Sequence, residues 1–277
     1  MRNKTAYTPS NLPFDLQVAR GLYQRGSYFE AFDVYEEIVR AFPDFSVEVL
    51  AEVYDCYQKM PDQSRYMLYQ GRHIDFKIGP TDQVLDIGSG HLPFPLATHL
   101  ADVTLTEHSV GRAGAPFKYI AGKPVYECSV EATPFADKQF DFVFCSHVLE
   151  HVYNPEKACR ELMRIGKRGY IETPTRGKDT WLNTAKKSNH RWAVELLNNR
   201  LVFTEYTALD LEGLGCDILM NMHMEPQTKR EKALSALIYL KAPLINTMML
   251  WEESFEFEVR RLKPPQPAGC YCACVAT

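Results

Sequence analysis

Two patterns of hydrophobic positions divide this chain near residue 80. Residues 14–58 carry apolar and aromatic side chains at helical spacing, which predicts helices in that range. From residue 83 onward, short apolar runs alternate with segments of helical spacing, as is typical of a parallel sheet covered by helices on both faces. The predicted strands span 83–88, 102–107, 124–128, 140–145 and 168–173, and the predicted helices between them span 94–100, 110–120 and 155–165.

The pattern changes again after Thr175. Asn198-Asn199 lies between two apolar runs and favours a tight hairpin. Residues 176–250 are therefore expected to form an insertion on the sheet domain rather than part of its core. This last part of the chain is predicted to hold a hairpin, a helical stretch broken at Pro243, and a late strand, at 192–205, 229–250 and 254–259.

The N-terminal helices resemble a single tetratricopeptide-like hairpin, because Ala31-x-x-x-Tyr35 is followed by Pro43 at the expected spacing. One such unit cannot bury its own apolar face. Two interpretations stay open: an arm that binds a protein partner or a second copy of the chain, or a cap packed on the sheet domain, which is favoured. The predicted organisation is a helical segment, a sheet domain and a flexible tail, at 1–62, 63–262 and 263–277.

The run Val84–Gly90 reads as a buried strand that breaks into a glycine turn. Twenty-one positions after Asp86, the second predicted strand ends on Glu107. Glycines allow a ligand to approach the backbone, and an acidic side chain at that strand end can accept both ribose hydroxyls. The arrangement suits an adenosine-containing cofactor. Pro93 stands where a dinucleotide-binding turn needs glycine or alanine, so a dinucleotide is disfavoured.

Asp86-x-Gly88-x-Gly90, Glu107 and the block Phe140–His151 together resemble the class I S-adenosylmethionine-dependent methyltransferases. The most similar branch is the one that contains the O-methyltransferases of ubiquinone biosynthesis. The resemblance implies a doubly wound α/β fold with a mostly parallel, seven-stranded Rossmann-like sheet and an N-terminal α-helical extension. It also implies S-adenosylmethionine as the cofactor, and a late antiparallel strand at the sheet edge, to which 254–259 is assigned.

The expected cofactor site follows the order of the strands. The resemblance gives Asp86 the task of organising the turn, Glu107 the ribose, and the loop after the third strand the adenine. Ahead of the first strand, Tyr66 and Arg72 share one helical face, where an arginine can pair with the methionine carboxylate. The predicted cofactor-binding residues are Asp86, Gly88, Ser89, Gly90, Glu107, Glu131, Ala132, Cys145, Ser146, Arg72 and Tyr66.

His147, Glu150 and His151 lie at positions i, i+3 and i+4, which share one face if a helical turn begins there. Two imidazoles and a carboxylate can ligate a divalent cation. In related ubiquinone-type and small-RNA methyltransferases the block resembles Glu-x-x-Glu-His and is associated with a metal. Here His147 replaces the first carboxylate, which makes the site less suited to magnesium. The alternative is that Glu150 and His151 are structural.

Methyl transfer to a hydroxyl or amine needs an in-line approach and a base that removes a proton. Glu172 ends the fifth predicted strand, at the edge where open α/β sheets bind ligands. His190 opens the inserted hairpin next to Arg191 and Trp192, and is the favoured base or acceptor contact. The candidate catalytic residues are His190, His151, Glu172 and His147.

Composition narrows the function further. The 277 residues carry a net charge of −4, without a basic stripe, so nucleic acid is not an expected partner. Methyl transfer to an oxygen or nitrogen of a small-molecule acceptor is the leading hypothesis. The alternatives are a metal-assisted RNA 2′-O-methyltransferase and a non-catalytic cofactor-binding scaffold. A homo-oligomer or a protein partner would use the N-terminal helices.

Cellular location is predicted from absent signals and from cysteine use. The N-terminus has no apolar signal-peptide core and the chain has no long uncharged apolar stretch, so a cytoplasmic protein without a membrane segment is expected. Five of the eight cysteines lie singly in apolar segments, as free thiols do in a reducing compartment. The other three form Cys270-x-Cys272-x-Cys274, which is interpreted as part of the tail rather than as a metal site.

Overall fold

The structure, a computed structural model, describes residues 12–42, 47–62, 64–106 and 114–262. Its helices are α1 Leu12–Gln24, α2 Tyr28–Ala41, α3 Val47–Gln58, a π-helical turn Tyr66–Gln70, α4 Gly71–His73, α5 Pro155–Ile165, α6 Arg176–Trp181, α7 Thr184–Lys187, α8 Ala208–Glu212, α9 Ile218–Met224, α10 Lys229–Leu240 and α11 Ala242–Ile245. Its strands are β1 Val84–Ile87, β2 His99–Asp102, β3 Val125–Glu127, β4 Phe142–Ser146, β5 Arg168–Pro174, β6 Trp192–Leu197, β7 Arg200–Glu205, β8 Asn246–Glu252 and β9 Glu256–Arg260.

The main sheet has six strands in the order β3-β2-β1-β4-β5-β8, and only β8 is antiparallel to its neighbour. The predicted mostly parallel α/β fold is confirmed. The predicted seventh strand does not join this sheet among the described residues. Instead β6, β7 and β9 form a second, three-stranded sheet in which β9 runs parallel to β7.

The edge of the main sheet was assigned to the wrong segment. The antiparallel neighbour of β5 is Asn246–Glu252, which lies largely inside the predicted helical stretch, whereas the predicted edge strand 254–259 overlaps β9 of the second sheet. The helix ends at Leu240, and from Met249 to Glu252 side chains alternate between buried and exposed, as they do in a strand. Trp251 packs on Gly169, where an added Cβ would lie 2.8 Å from the indole ring.

The second strand also differs from its prediction. Strand β2 is His99–Asp102, not 102–107, and the predicted helix 94–100 does not form. Phe94, Ala97 and Leu100 have helical spacing, but Leu100 belongs to β2, and Phe94 and Ala97 pack on the sheet from an irregular segment that contains two prolines. The described part of the predicted helix 110–120, residues 114–120, is irregular as well. Glu107 lies outside the described residues.

Alternation along the strands builds a different core on each face of the sheet. Leu85, Val143 and Ile171 pack with α5 and the second sheet. Phe142 and Tyr170 pack on the opposite face with Phe76 and Phe94. Helix α5 forms as predicted, with the side chain of Asn154 accepting a 3.0 Å hydrogen bond from the N–H of Lys157.

Helices form within 14–58 as predicted, and their main partner is the insertion. Helix α3 packs against α10, and the hydroxyl of Tyr57 lies 2.9 Å from that of Ser235 in a shared core. The tetratricopeptide likeness and the domain boundaries remain predictions, and the cysteines of 263–277 lie outside the described residues. Across the ranges that the structure describes, we find no helix with the length and apolar character needed to cross a membrane.

Candidate cofactor and acceptor site

A cleft of about 1210 Å³, partly open to solvent, lies at the carboxyl ends of β1 and β4. The strand order reverses between these two strands, which is where open α/β sheets bind ligands. The wall of the cleft is built from four segments, within 64–70, 86–95, 102–103 and 128–131, and a fifth from 144 to 153.

The glycine turn is held tightly by backbone hydrogen bonds. Gly88 has φ +80°, and a Cβ at this position would lie 2.1 Å from Cγ2 of Val148. The N–H groups of Gly88 and Ser89 donate to the carbonyl of Ala101, at 2.8 and 3.0 Å. The N–H of Gly90 donates to Oδ2 of Asp102 at 2.9 Å. The turn therefore requires glycine at position 88 for its backbone angle and for space.

Asp86 organises the segment behind the turn. Its Oδ2 accepts a 2.7 Å hydrogen bond from the N–H of Phe94. Burial raises the pKa of Asp86 to about 7, although the hydrogen bond from Phe94 opposes the shift. Asp86 lines the cleft, but its carboxylate is committed to holding the chain that forms the cleft wall.

Most of the predicted cofactor residues come together in this cleft. Ala132 is exposed and is not in the wall, and Cys145 packs in the core on the opposite face of the sheet. Arg72 forms ion pairs with Asp33 and Glu36 of α2, at 2.6 and 2.7 Å, so it does not reach the cleft. The predicted residues that do line it are Tyr66, Asp86, Gly88, Ser89, Gly90, Glu131 and Ser146.

Asp102, Arg65 and Gln70 line the cleft but are not among the residues predicted from the sequence. Asp102 ends β2 and is buried beside the turn; it was overlooked because the strand was placed too late. Arg65 and Gln70 enter the wall from the π-helical turn region. The helical-face argument that selected Arg72 was right about the segment but wrong about the arginine, since Arg72 faces α2.

Glu172 lies behind the wall and is fully buried. Its Oε1 accepts from the Tyr69 hydroxyl at 2.7 Å, and its Oε2 accepts from Gln70 Nε2 at 2.9 Å and from the hydroxyl of Tyr170. His147 Nε2 lies 3.1 Å from Oε1. Burial opposes ionisation, but the hydrogen bond and charge of His147 hold the pKa of Glu172 at about 2. A carboxylate bonded in this way is a poor proton acceptor, contrary to its prediction as a base.

His147 is held between two carboxylates. It has φ +57°, a left-handed conformation that is uncommon outside glycine, and its N–H donates to the carbonyl of Glu172 at 2.8 Å. Nε2 faces Glu172, and Nδ1 lies 3.3 Å from Oε1 of Glu150. Because both ring nitrogens face carboxylates, His147 is not placed to take a proton from an acceptor, nor to complete the predicted metal trio.

Glu150 is also fully buried, and neither of its oxygens has a hydrogen bond within the described residues. Ligand atoms of Glu150, His151 and His190 lie within 4.8 Å of one another. Asp179 Oδ2 lies 2.8 Å from Nδ1 of His190, which leaves Nε2 of that ring for a ligand. Carboxylate-oriented imidazoles are typical of metal sites, so the residues fit a divalent cation, with His190 in the place predicted for His147.

The two remaining histidines differ in charge. Burial lowers the pKa of His151, although the carboxylate of Glu150 opposes the shift. Burial also acts on His190, but there the hydrogen bond to Asp179 prevails and raises its pKa. His151 lines the cleft and is neutral at physiological pH, so it is the imidazole best placed to accept a proton.

Residues 85–171 match the sequence profile of a family described as a methyltransferase domain. The match runs from β1 into β5 and includes the glycine turn and the block 140–151. Residues 85–171 form a methyltransferase domain. The predicted class I domain is thereby confirmed, and S-adenosylmethionine is the cofactor that this class implies.

Relatives of the methyltransferase domain come from quinone biosynthesis. The chain is 29% identical over 141 residues to the ubiquinone/menaquinone biosynthesis C-methyltransferase UbiE of Xanthomonas campestris pv. campestris, covering 44% of this chain and 56% of that protein. It is 35% identical over 98 residues to a demethylmenaquinone methyltransferase of Renibacterium salmoninarum, covering 32% and 39%. The chain thus spans only about half the length of the first relative. The name of the first relative gives C-methylation, where the name of the predicted branch gives O-methylation.

Among solved structures, the chain is similar to an S-adenosylmethionine-dependent methyltransferase from Aquifex aeolicus, with 20% identity and a TM-score of 0.31 over 44% of this chain and 73% of that chain. A possible histamine N-methyltransferase from Thermotoga maritima gives 23% identity and a TM-score of 0.29, over 36% and 48%.

Proposed function

We propose that this chain transfers a methyl group from S-adenosylmethionine to an oxygen or nitrogen of a small-molecule acceptor. The observation that carries the proposal is the joint presence, in one cleft, of the glycine turn and the neutral imidazole of His151. The turn supplies backbone that a nucleoside can approach, and the imidazole supplies a proton acceptor at the same site.

The residues of the wall divide the task of holding the cofactor. Asp102 is the acidic group beside the turn and is assigned to the ribose, together with the still untested Glu107. Arg65, a half-buried guanidinium in the wall, replaces Arg72 as the partner of the methionine carboxylate. Glu131 uses one carboxylate oxygen to accept from the N–H of Tyr153 at 2.7 Å, so it shapes the adenine end of the cleft.

The cofactor supplies an electrophilic methyl group on a sulfonium sulfur. The acceptor oxygen or nitrogen attacks that methyl carbon, the carbon–sulfur bond breaks, and S-adenosylhomocysteine leaves. The acceptor's proton passes to the imidazole of His151. Since burial lowers the pKa of His151, the ring is in the basic form that this step requires.

The first test is calorimetric titration of S-adenosylhomocysteine into the full chain. Gly88→Arg should abolish micromolar binding, because the added Cβ meets Val148 before the rest of the side chain is placed. Gly122→Arg is the matched control: Gly122 also has φ +80°, but its added Cβ meets no atom within 4 Å. Absent binding in the wild type would overturn the methyltransferase proposal, whereas binding without methyl transfer to any acceptor would favour the cofactor-binding scaffold.

The second test follows label from methyl-labelled S-adenosylmethionine into a panel of catechols, phenols, amines and quinols. Label on oxygen or nitrogen, lost at least about 100-fold in His151→Gln, is the expected result. Label on ring carbon would overturn the assignment of the acceptor atom and agree with the name of the first relative. An unchanged rate in His151→Gln would overturn the assignment of the base.

A metal-assisted reaction is the second candidate, favoured by the two oxygens of Glu150, which accept no hydrogen bond from the part of the chain that the structure describes. Glu150, His151 and His190 would hold the cation, which would polarise the acceptor oxygen in place of a free base. Titration of Co²⁺ into the full chain, read by absorbance, should show one site that Glu150→Gln removes. His73→Ala changes an exposed histidine of α4 and serves as the control. Unchanged Co²⁺ binding in Glu150→Gln would overturn this candidate.

A further inference from the structure

The N-terminal part of the chain supplies two buried hydrogen-bond donors to the centre of the sheet domain. Tyr69 and Gln70 belong to the π-helical turn that follows the N-terminal helices, and both contact Glu172, more than 100 residues away in sequence. Gln70 Nε2 also lies 3.4 Å from Oγ of Ser146 in the cleft wall. Single turns of π-helix are frequent at functional sites, because they turn side chains out of helical register.

The π-helical turn is fixed from the other side by the helical core. Tyr69 packs with the core of α1, α2, α3 and α10, and its ring stacks on Tyr239 at a centroid distance of 6.3 Å. The ring of Tyr69 therefore packs in the helical core, while its hydroxyl bonds to Glu172 of β5. A shift of the helical core relative to β5 would break this hydrogen bond.

Glu172 connects these two donors to His147 in the cleft wall. A carboxylate has about four sites at which it can accept hydrogen bonds, and here the donors come from Tyr69, Gln70, Tyr170 and His147. Its backbone carbonyl also accepts from the N–H of His147. The side chain and the backbone of Glu172 thus hold one residue of the cleft wall, whose left-handed backbone conformation persists only where its surroundings impose it.

We propose that Tyr69 and Gln70 are positioning residues of the active centre, so that the helical core that holds Tyr69 is a structural part of the methyltransferase site. They fix the carboxylate of Glu172, which in turn fixes His147 at the cleft wall. The inference rests on the proposed function, because the cleft is an active centre only if the chain is a methyltransferase. It predicts faster proton exchange at the ring of His147 when the hydrogen bond from Tyr69 or from Gln70 to Glu172 is removed.

The test measures proton exchange at ring Nε2 of His147 by long-range ¹H–¹⁵N NMR on the full chain. The signal is assigned by its loss in His147→Gln. Tyr69→Phe removes one hydroxyl and keeps the ring packed on Tyr239, and Gln70→Leu removes the amide. The matched control is Tyr57→Phe, which removes the hydrogen bond to Ser235 from the same core without touching Glu172.

Tyr69→Phe and Gln70→Leu should each speed exchange about tenfold, and Tyr57→Phe should leave it unchanged. Equal rates in all variants, or an equal acceleration in Tyr57→Phe, would overturn the proposal. Thermal unfolding of each variant identifies any that fail to fold, in which case Tyr69→Phe, the smaller change, decides. Absent S-adenosylhomocysteine binding would defeat the proposed function alone, since exchange at His147 is measured without cofactor.

Discussion

Glu172 and Glu150 are fully buried carboxylates on opposite sides of one imidazole ring. Glu172 has donors from Tyr69, Gln70 and Tyr170 as well as His147. Glu150 has no hydrogen bond within the described residues and instead faces histidines. The two buried glutamates thus differ in whether their carboxylate oxygens accept hydrogen bonds.

The difference assigns the two groups different tasks. A buried carboxylate is costly unless its lone pairs are occupied, and a fully bonded network fixes its members in one arrangement. Glu172 meets this condition and is suited to holding other groups still. The oxygens of Glu150 do not accept hydrogen bonds within the described residues, so they are available to a cation.

The largest expected effect comes from removing the bonded carboxylate. Glu172→Leu leaves two tyrosine hydroxyls, one amide and one imidazole without their common partner. We expect a loss of about 3–5 kcal/mol in the free energy of unfolding, measured by urea denaturation. Glu253→Leu, at an exposed glutamate, should change it by about 0.5 kcal/mol or less. A loss below about 1 kcal/mol for Glu172→Leu would show that the network does not stabilise the fold.

Acid should reproduce part of that loss in the wild type. The pKa of Glu172 falls from an ordinary value of 4.5 to about 2 on folding. A depressed pKa stabilises the fold above pH 4.5, and the contribution, on the order of 3 kcal/mol, disappears as the pH falls towards 2. Glu172→Gln lacks this titration, so the gap in unfolding free energy between wild type and variant should narrow over that range. A gap that stays constant would contradict the low pKa.

Removing the carboxylate that orients His190 should moderately weaken cation binding by Glu150, His151 and His190. Asp179 accepts from His190 Nδ1 and, at 2.8 Å, from the hydroxyl of Tyr206. Asp179→Asn should weaken Co²⁺ binding about 10- to 100-fold, as loss of a carboxylate behind a ligating histidine does. Tyr206→Phe keeps the carboxylate and should change affinity less. Equal affinities in all three proteins would remove Asp179 from the cation site.

Local sequence signals predicted one part of this architecture and not the other. The glycine turn, β4, β5 and α5 follow from short apolar runs, glycine spacing and the Asn154 cap. Strand β2 begins earlier than predicted, because Phe94, Ala97 and Leu100 have the spacing of a helical face although Leu100 lies in the strand and the other two precede it in an irregular segment. The cleft residues of the glycine turn and of the end of β4 could therefore be predicted, whereas Asp102 at the end of β2 could not.

The support of the two carboxylates could not be predicted for a different reason. Tyr69 contacts Glu172 across 103 positions, and this contact exists only once the N-terminal helices and the insertion share a core. Asp179 lies 11 residues from His190, in a helix too short to be predicted from hydrophobic periodicity. Sequence patterns identified the buried glutamates, but which of them would be satisfied depended on tertiary packing.

The smallest effect should come from Glu150→Gln, measured at pH 8. Although burial opposes the shift, contact with His147, whose Nδ1 lies 3.3 Å away, and the charges of the neighbouring histidines lower the pKa of Glu150 to about 2. Glu150→Gln weakens one contact, with Nδ1 of His147 at 3.3 Å, whereas Glu172 has four side-chain partners, so the unfolding free energy should fall by only about 1.5 kcal/mol. Glu172→Gln, measured alongside, should cost clearly more, because it loses charge-assisted hydrogen bonds. Equal losses would mean that Glu150 is bonded as firmly as Glu172, and the division of tasks between the two carboxylates would fail.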